Sequence, residues 1–143
     1  MYIDASAIVA ILGREDDAIA LTTRIGEATT PLYVSPTIVY EAVISLARKK
    51  ADASGFKKQA VAAAMIEAAQ VTVAQFIEDL GIKKATVSAD IGRKAVDAAK
   101  RYGRVGGHAA ELNFGDCFAY ACARAYRVPL LYKGNDFAQT DLA

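Results

Sequence analysis

Leu112-Asn113-Phe114-Gly115-Asp116-Cys117-Phe118-Ala119-Tyr120-Ala121-Cys122-Ala123 is the stretch on which the reading of this chain turns. From Phe118 onward its residues are small and apolar, the composition of a buried helix. Asp116 stands at the mouth of that helix. An ionised carboxylate facing an apolar core is costly unless it is hydrogen-bonded, paired or bound to a metal. Two readings are open. In one, Asn113 is the N-cap and Asp116 lies three residues on, near the positive end of the helix dipole. In the other, Asp116 belongs to a site. Helix starts attract Asp anyway, so the second reading needs further acids in similar settings, and the chain supplies three.

Asp4 follows Met1-Tyr2-Ile3, a strand-like opening, and precedes the apolar run Ala5 to Leu12, which reads as a short helix ended by Gly13. It is an N-cap, or a residue at the carboxyl end of a strand, where open α/β sheets build their sites. Ser6 is close enough to support it. Asp16 to Ala28 reads as an amphipathic helix, with Ile19, Ala20, Thr23 and Ala28 on one side and Arg24 and Glu27 toward solvent. Thr29-Thr30-Pro31 breaks it, Leu32 to Val34 forms a second strand, and Ser35-Pro36 opens a helix in the favoured order. That helix ends in Arg48-Lys49-Lys50, cations that suit a helix C-terminus. Glu41 is its odd residue. Its neighbours three and four positions away are Thr37, Ile38, Ile44 and Ser45, so no cation pairs with it at helical spacing.

Ser54 is a plausible cap for a long Ala-rich helix from Gly55 to about Leu80, with a possible break at the β-branched Gln70-Val71-Thr72-Val73. Ile82 to Val87 suits a short edge strand protected by lysines. Ser88 caps a helix over Ala89 to Tyr102, on which Arg93, Lys94, Lys100 and Arg101 form a basic stripe. The stripe is a solvated face or a phosphate track. Gly103 to Glu111 is Gly-rich without a phosphate-loop lysine, and reads as a flexible connection. Val128 to Tyr132 is an apolar strand, and Asp136 lies in the turn after it, an ordinary turn residue or a fourth acid following a strand. Alternation of strands and helices predicts an α/β fold with a mostly parallel sheet.

Length and composition agree. The 143 residues predict one domain, residues 1–143, and 54% apolar with 23% charged residues predict a globular chain. The net charge of +1 leaves any nucleic-acid footprint to local clustering. Cys117 and Cys122 lie on different faces of one helix, so they read as buried thiols in a reducing compartment. His108 is the single histidine, which argues against a thiol–imidazole zinc site. There is no basic leader and no apolar run of about eighteen residues. The expectation is a soluble, cytoplasmic protein with no membrane association.

If the sheet is parallel, Asp4, Glu41, Asp116 and Asp136 converge at its carboxyl edge. Such a group repels itself unless a cation intervenes, and an all-oxygen set selects Mg²⁺ or Mn²⁺. Open water positions on that cation suit phosphoryl chemistry.

These residues also resemble a known family. Met1-Tyr2-Ile3-Asp4-Ala5-Ser6, the helical Glu41, Leu112-Asn113-Phe114-Gly115-Asp116-Cys117 and Leu130-Leu131-Tyr132-Lys133-Gly134-Asn135-Asp136-Phe137 are similar, in that order, to the PIN-domain ribonucleases, specifically the VapC-type toxins of type II toxin–antitoxin pairs. The resemblance implies a three-layer α/β/α fold around a central mostly parallel sheet. It implies Mg²⁺- or Mn²⁺-dependent endonucleolytic cleavage of RNA to 3′-hydroxyl and 5′-phosphate ends, inhibition by a VapB-type antitoxin, and a homodimer. Asp4, Glu41 and Asp116 match the family's first three acids, Asp136 the less uniform fourth, and Ser6 the small hydroxyl residue after the first. Arg93, Lys94, Lys100 and Arg101 are the candidate RNA contacts. Two rivals stand beside this. An aspartyl phosphatase would carry a second Asp where Ser6 is, and a non-catalytic module would use the acidic pocket to hold a partner's arginine.

Overall fold

Tyr2–Ile3 (β1) is wholly buried, and every other strand is placed relative to it. It pairs in parallel with Tyr33–Val34 (β2) on one side and with Leu130–Leu131 (β4) on the other, while Lys83–Lys84 (β3) extends the sheet beyond β2. The order is β3-β2-β1-β4, and every pairing is parallel. The computed structural model describes residues 1–53, 55 and 61–142.

Parallel neighbours cannot be joined by a hairpin, so helices carry each crossover. Ala5–Leu12 (α1) and Ala18–Gly26 (α2) link β1 to β2. Pro36–Ala53 (α3) and Ala63–Asp79 (α4) lie between β2 and β3, and Ala89–Tyr102 (α5) and Phe114–Tyr126 (α6) between β3 and β4. The product is the expected three-layer α/β/α fold, with α6 packed on β1, β4 and α5, and α1 packed on α2, α3 and α4. Buried hydroxyls in this core pair with one another. The Tyr2 hydroxyl donates to Ser35 Oγ at 2.6 Å, and Ser35 Oγ lies 2.7 Å from Thr37 Oγ1. The edge strand β3 presents two exposed lysines, a device against edge-to-edge pairing.

The sequence reading is matched at α1, which spans Ala5–Leu12, and at α5, where Ser88 Oγ accepts from the Ile91 N–H at 3.3 Å. It differs elsewhere. In α2 the inward residues are Leu21 and Ile25, one helical turn apart, while Ile19 is 82% exposed and Ala20 and Thr23 face solvent. The bulkier i, i+4 apolar pair wins the buried stripe, and Ile19 falls on the opposite side. No break occurs at Gln70 to Val73, because α4 is continuous from Ala63 to Asp79. Ser54 lies outside the described residues. The stretch from Gly103 to Glu111 is more ordered than a flexible connection. It contains a 3₁₀ turn, Arg104–Gly106, and is closed by Leu112 N–H to Tyr102 O at 3.0 Å and Arg104 N–H to Leu112 O at 3.1 Å. Among the described residues, no helix is long and apolar enough to cross a membrane.

The α2 face gives a direct test. Ile25→Ala should cost about 2–4 kcal/mol in urea unfolding, whereas Ile19→Ala should stay within about 0.5 kcal/mol of the parent.

Candidate active site

Chain order places β2 and β3 on one side of β1 and β4 on the other. The carboxyl ends of β1 and β4 therefore flank a topological switch point, the position at which open α/β sheets form their crevices. Asp4 leaves β1 there. Its backbone N–H donates to Leu131 O at 2.9 Å, and its carboxyl group is 4% exposed as a residue of the core. Asp4 Oδ2 accepts from the Ser6 N–H at 2.9 Å and from the Ser6 hydroxyl, and Ser6 Oγ in turn accepts from the Lys133 N–H at 3.0 Å. Asp4 is thus both the N-cap of α1 and a residue locked to the end of β4 through Ser6. Burial raises its pKa, against the opposing effect of the Ser6 hydrogen bonds.

Asp116 is held by the cap at the start of α6. Its N–H donates to Asn113 Oδ1 at 3.1 Å, and its Oδ2 accepts from the Asn113 N–H at 2.7 Å, a reciprocal capping box. Capping and site membership are therefore not alternatives. Despite the cap and the nearby Arg104, burial together with the charges of Asp4 and Asp136 pushes Asp116 up to about 6. Glu41 is half-buried in the second turn of α3. Burial, then the charges of Asp4 and Asp116, push it up to about 7. Asp136 is exposed in the turn after β4, anchored by its buried neighbour Phe137, whose ring lies 4.9 Å from that of Tyr132. The fold thus brings the four predicted acids into one electrostatic neighbourhood, and none of them makes an ion pair among the described residues.

Gly115 is what lets Glu41 approach α6. A Cβ there would lie 2.8 Å from Glu41 Cδ and would collide with Oε2. Beside it a cleft of about 620 Å³ runs along α3 and the start of α6, lined by Tyr40, Glu41, Ser45, Arg48, Phe114 and Gly115 among others. Arg48 is seven residues after Glu41, two turns along the same face, and has no ion-pair partner among the described residues. The α5 cations stand differently. Arg93 and Lys94 pair with Asp90, Lys100 with Asp97, and Arg101 with Asp141, and none of the four lines the Glu41 cleft. Cys117 and Cys122 are buried free thiols with raised pKa, unsuited to nucleophilic use.

The donor chemistry fits a hard divalent cation: carboxylate oxygens that disfavour one another's ionisation, with no imidazole or thiolate available to select a softer metal. The acids do not form a closed cage, since no cluster of three or more His, Cys, Asp or Glu side chains that could hold a metal occurs among the described residues. Each carboxyl group is positioned by its own element.

A family model for the PIN domain matches residues 1–142. The chain belongs to the PIN-domain family. It is 44% identical over 141 residues to a VapC ribonuclease of Rhizobium meliloti, covering 99% of this chain and 98% of that protein. It is 33% identical over 142 residues to ribonuclease VapC42 of Mycobacterium tuberculosis, covering 99% and 96%. Among solved structures, Mycobacterium tuberculosis VapC20, a toxin that cleaves the sarcin–ricin loop, aligns over 96% of this chain and 92% of its own with a TM-score of 0.68. At 16% identity that likeness establishes the shared fold. This PIN-family chain is homologous to several VapC ribonuclease toxins, as its motifs implied.

Motif reading did not single out Gly115, Arg48 or the cleft. The spacing of Glu41 and Arg48 was a usable signal. Gly115 meets Glu41 across two helices, and no local pattern records that contact.

Two outcomes are expected. Carboxyl groups whose pKa is raised on folding add stability that is fully present below the ordinary carboxylate range and is lost as pH rises through about 6 to 7. The metal-free protein should therefore melt about 3–6 °C higher near pH 5 than near pH 7, with Glu41→Gln flattening that slope. Thermal melts across pH check it, and a profile that rises with pH would contradict the assignment. Gly115→Ala should hold or slightly raise the melting temperature, since Ala suits a helix better by about 1 kcal/mol. It should also displace the Glu41 carboxylate, so the Glu41-dependent pH slope should shrink in the same melts.

Proposed function

We propose that this chain is a metal-dependent endoribonuclease toxin that hydrolyses RNA phosphodiester bonds and is restrained by a VapB-type antitoxin. The observation that carries the reading is the electrostatic proximity of Asp4, Glu41, Asp116 and Asp136, without an ion-pair partner among the described residues, at the switch point of a parallel sheet. The homology to VapC ribonucleases along nearly the full chain supports it.

In this reading Asp4 and Asp116 are the main ligands of Mg²⁺ or Mn²⁺, and Glu41 and Asp136 complete the site directly or through water. The cation, when bound, supplies an acidified water and neutralises charge on the leaving oxygen. The chain's own residues prepare that chemistry. Ser6 fixes the rotation of the Asp4 carboxyl group by holding Oδ2, and the Asn113 N–H does the same for Asp116. Burial and mutual repulsion raise Glu41 and Asp116 toward neutrality without a cation, so cation binding displaces protons, chiefly from Glu41, and is coupled to pH. The α5 residues Arg93, Lys94, Lys100 and Arg101 serve as outlying phosphate contacts, as their exposure allows. The active unit is a homodimer working in the cytoplasm.

The test is incubation of purified, antitoxin-free protein with total cellular RNA in Mg²⁺, Mn²⁺ or EDTA. Discrete fragments should appear with either metal and vanish in EDTA. Asp4→Asn and Asp116→Asn should each lower the rate at least about 100-fold, the scale expected when metal-assisted catalysis loses a ligand. Asp116→Asn keeps an oxygen for the Asn113 N–H, so its fold should survive. Cleavage that persists in EDTA or in both variants would sink the reading.

A further inference from the structure

Glu15 sits where α1 has just ended, and the backbone fixes its place. Its N–H donates to Ala10 O at 3.0 Å, and Arg14 before it takes the left-handed conformation, φ 52°, that turns the chain. Its side chain bridges two lysines from distant elements. Oε1 pairs with Lys49 near the end of α3, and Oε2 with Lys133, two residues after β4. Lys49 reaches it by crossing Gly13, where a Cβ would lie 2.9 Å from Lys49 Cε. Lys133 Nζ also lies 3.2 Å from Asp17 Oδ1. The two ammonium groups hold Glu15 below the usual carboxylate range, so it stays ionised where Glu41 and Asp116 begin to take up protons.

We propose that Glu15 and Lys133 are positioning residues for the Asp4 carboxylate, acting on it through Ser6. The inference rests on the nuclease reading above and adds to it two residues outside the group of four acids. The Lys133 N–H donates to Ser6 Oγ at 3.0 Å, and Ser6 holds Asp4 Oδ2 through both its hydroxyl and its N–H. Lys133 therefore engages α1 at both ends, the first turn through its backbone and the connection beyond the last turn through its ammonium group. The backbone bond fixes one point of the segment after β4, and the ion pair adds a second and so sets its direction. A carboxyl group held by one oxygen keeps the other aimed only while that hydrogen bond persists. The same segment carries Asp136 three residues on, so one anchor serves two of the four acids. Asp116 needs no such anchor, because its capping box is local to α6. Half-exposed ion pairs add little to global stability. Outer partners of a metal ligand, by contrast, commonly govern affinity by about 10- to 100-fold.

The test is Mn²⁺ binding to the full chain, followed by electron paramagnetic resonance, with amide hydrogen exchange of the metal-free protein beside it. Lys133→Met removes a positive charge near the site, which by electrostatics alone would tighten Mn²⁺ binding. The positioning role has the opposite sign. Lys133→Met and Glu15→Ala should each weaken Mn²⁺ binding about 10-fold, and Lys133→Arg should return it to within about 3-fold of the parent. The double variant should lose little more than either alone, since both substitutions break one interaction. Lys83→Met, the same charge change on the edge strand, should leave the affinity unchanged. In the metal-free protein the Ser6 and Lys133 amides should exchange about 10-fold faster in Lys133→Met and Glu15→Ala. Their melting temperatures should move by less than about 3 °C. Glu15→Gln, which keeps the side chain's shape, carries the same test should either variant unfold. Tighter or unchanged Mn²⁺ binding in Lys133→Met, or undisturbed exchange at both amides, overturns the proposal. If the parent cleaves RNA with Mn²⁺ while Lys133→Met binds the ion equally well, the positioning role falls and the nuclease stands. A parent that neither binds Mn²⁺ nor cleaves RNA removes the nuclease reading, and the proposal with it.

Discussion

Unpaired negative charge at the carboxyl edge of β1 is the constraint around which this fold is arranged. Four carboxyl groups share that edge, two of them almost wholly buried, and the chain supplies no salt bridge to any of them among its described residues. Burial and mutual repulsion both favour protonation, which is why Glu41 and Asp116 reach about 7 and about 6. Such an arrangement costs stability near neutral pH. It persists only because the surrounding hydrogen bonds specify where each carboxyl group must be.

Those hydrogen bonds come from ordinary local structure. Asp4 is an N-cap, and Asp116 is half of a capping box, so each acid contributes to starting its helix with one oxygen, Oδ2. The remaining oxygen is oriented as a consequence. The strand end, the cap and the site are one device at both positions. Lys133 extends it by clasping Ser6 through its backbone N–H, while its side chain pairs with Glu15 and Asp17 in the α1–α2 connection. Glu15 also pairs with Lys49 near the end of α3, so the surroundings of the site are tied together by charges kept outside it.

This shared use explains what was legible in the sequence. Caps and strand ends carry local signals, so α1, α5 and the positions of Asp4, Asp116 and Asp136 could be placed from residue order alone, while Glu41 stood out by lacking a cation at helical spacing. The sheet's parallel order followed from alternation. The inward face of α2 was misread because Ile19 and Ile25 look alike in sequence, and only the packing partner decides which of them is buried. Gly103 to Glu111 looked flexible because glycines suggest freedom, yet pairing of Leu112 with Tyr102 and Arg104 closes the segment. Gly115 and the cleft depend on the approach of α3 to α6, a long-range fact with no periodic trace.

The same distinction between local and long-range charge bears on substrate handling. A net charge of +1 says little, because the chain's cations are not equivalent. Those on α5 face acids three or four residues away or Asp141, pairs that a helix surface supplies to itself and that salt readily screens. Arg104 instead acts on Asp116 without closing an ion pair to it among the described residues, and Arg48 lines the Glu41 cleft. A bare cluster of carboxylates would repel a phosphodiester backbone. Arg104, outside ion-pair distance of Asp116, reduces that repulsion while leaving the carboxylate oxygens available to a divalent cation. Closing that salt bridge would satisfy the protein and occupy the carboxylate, so the separation is the feature of the charge pattern that keeps the site usable.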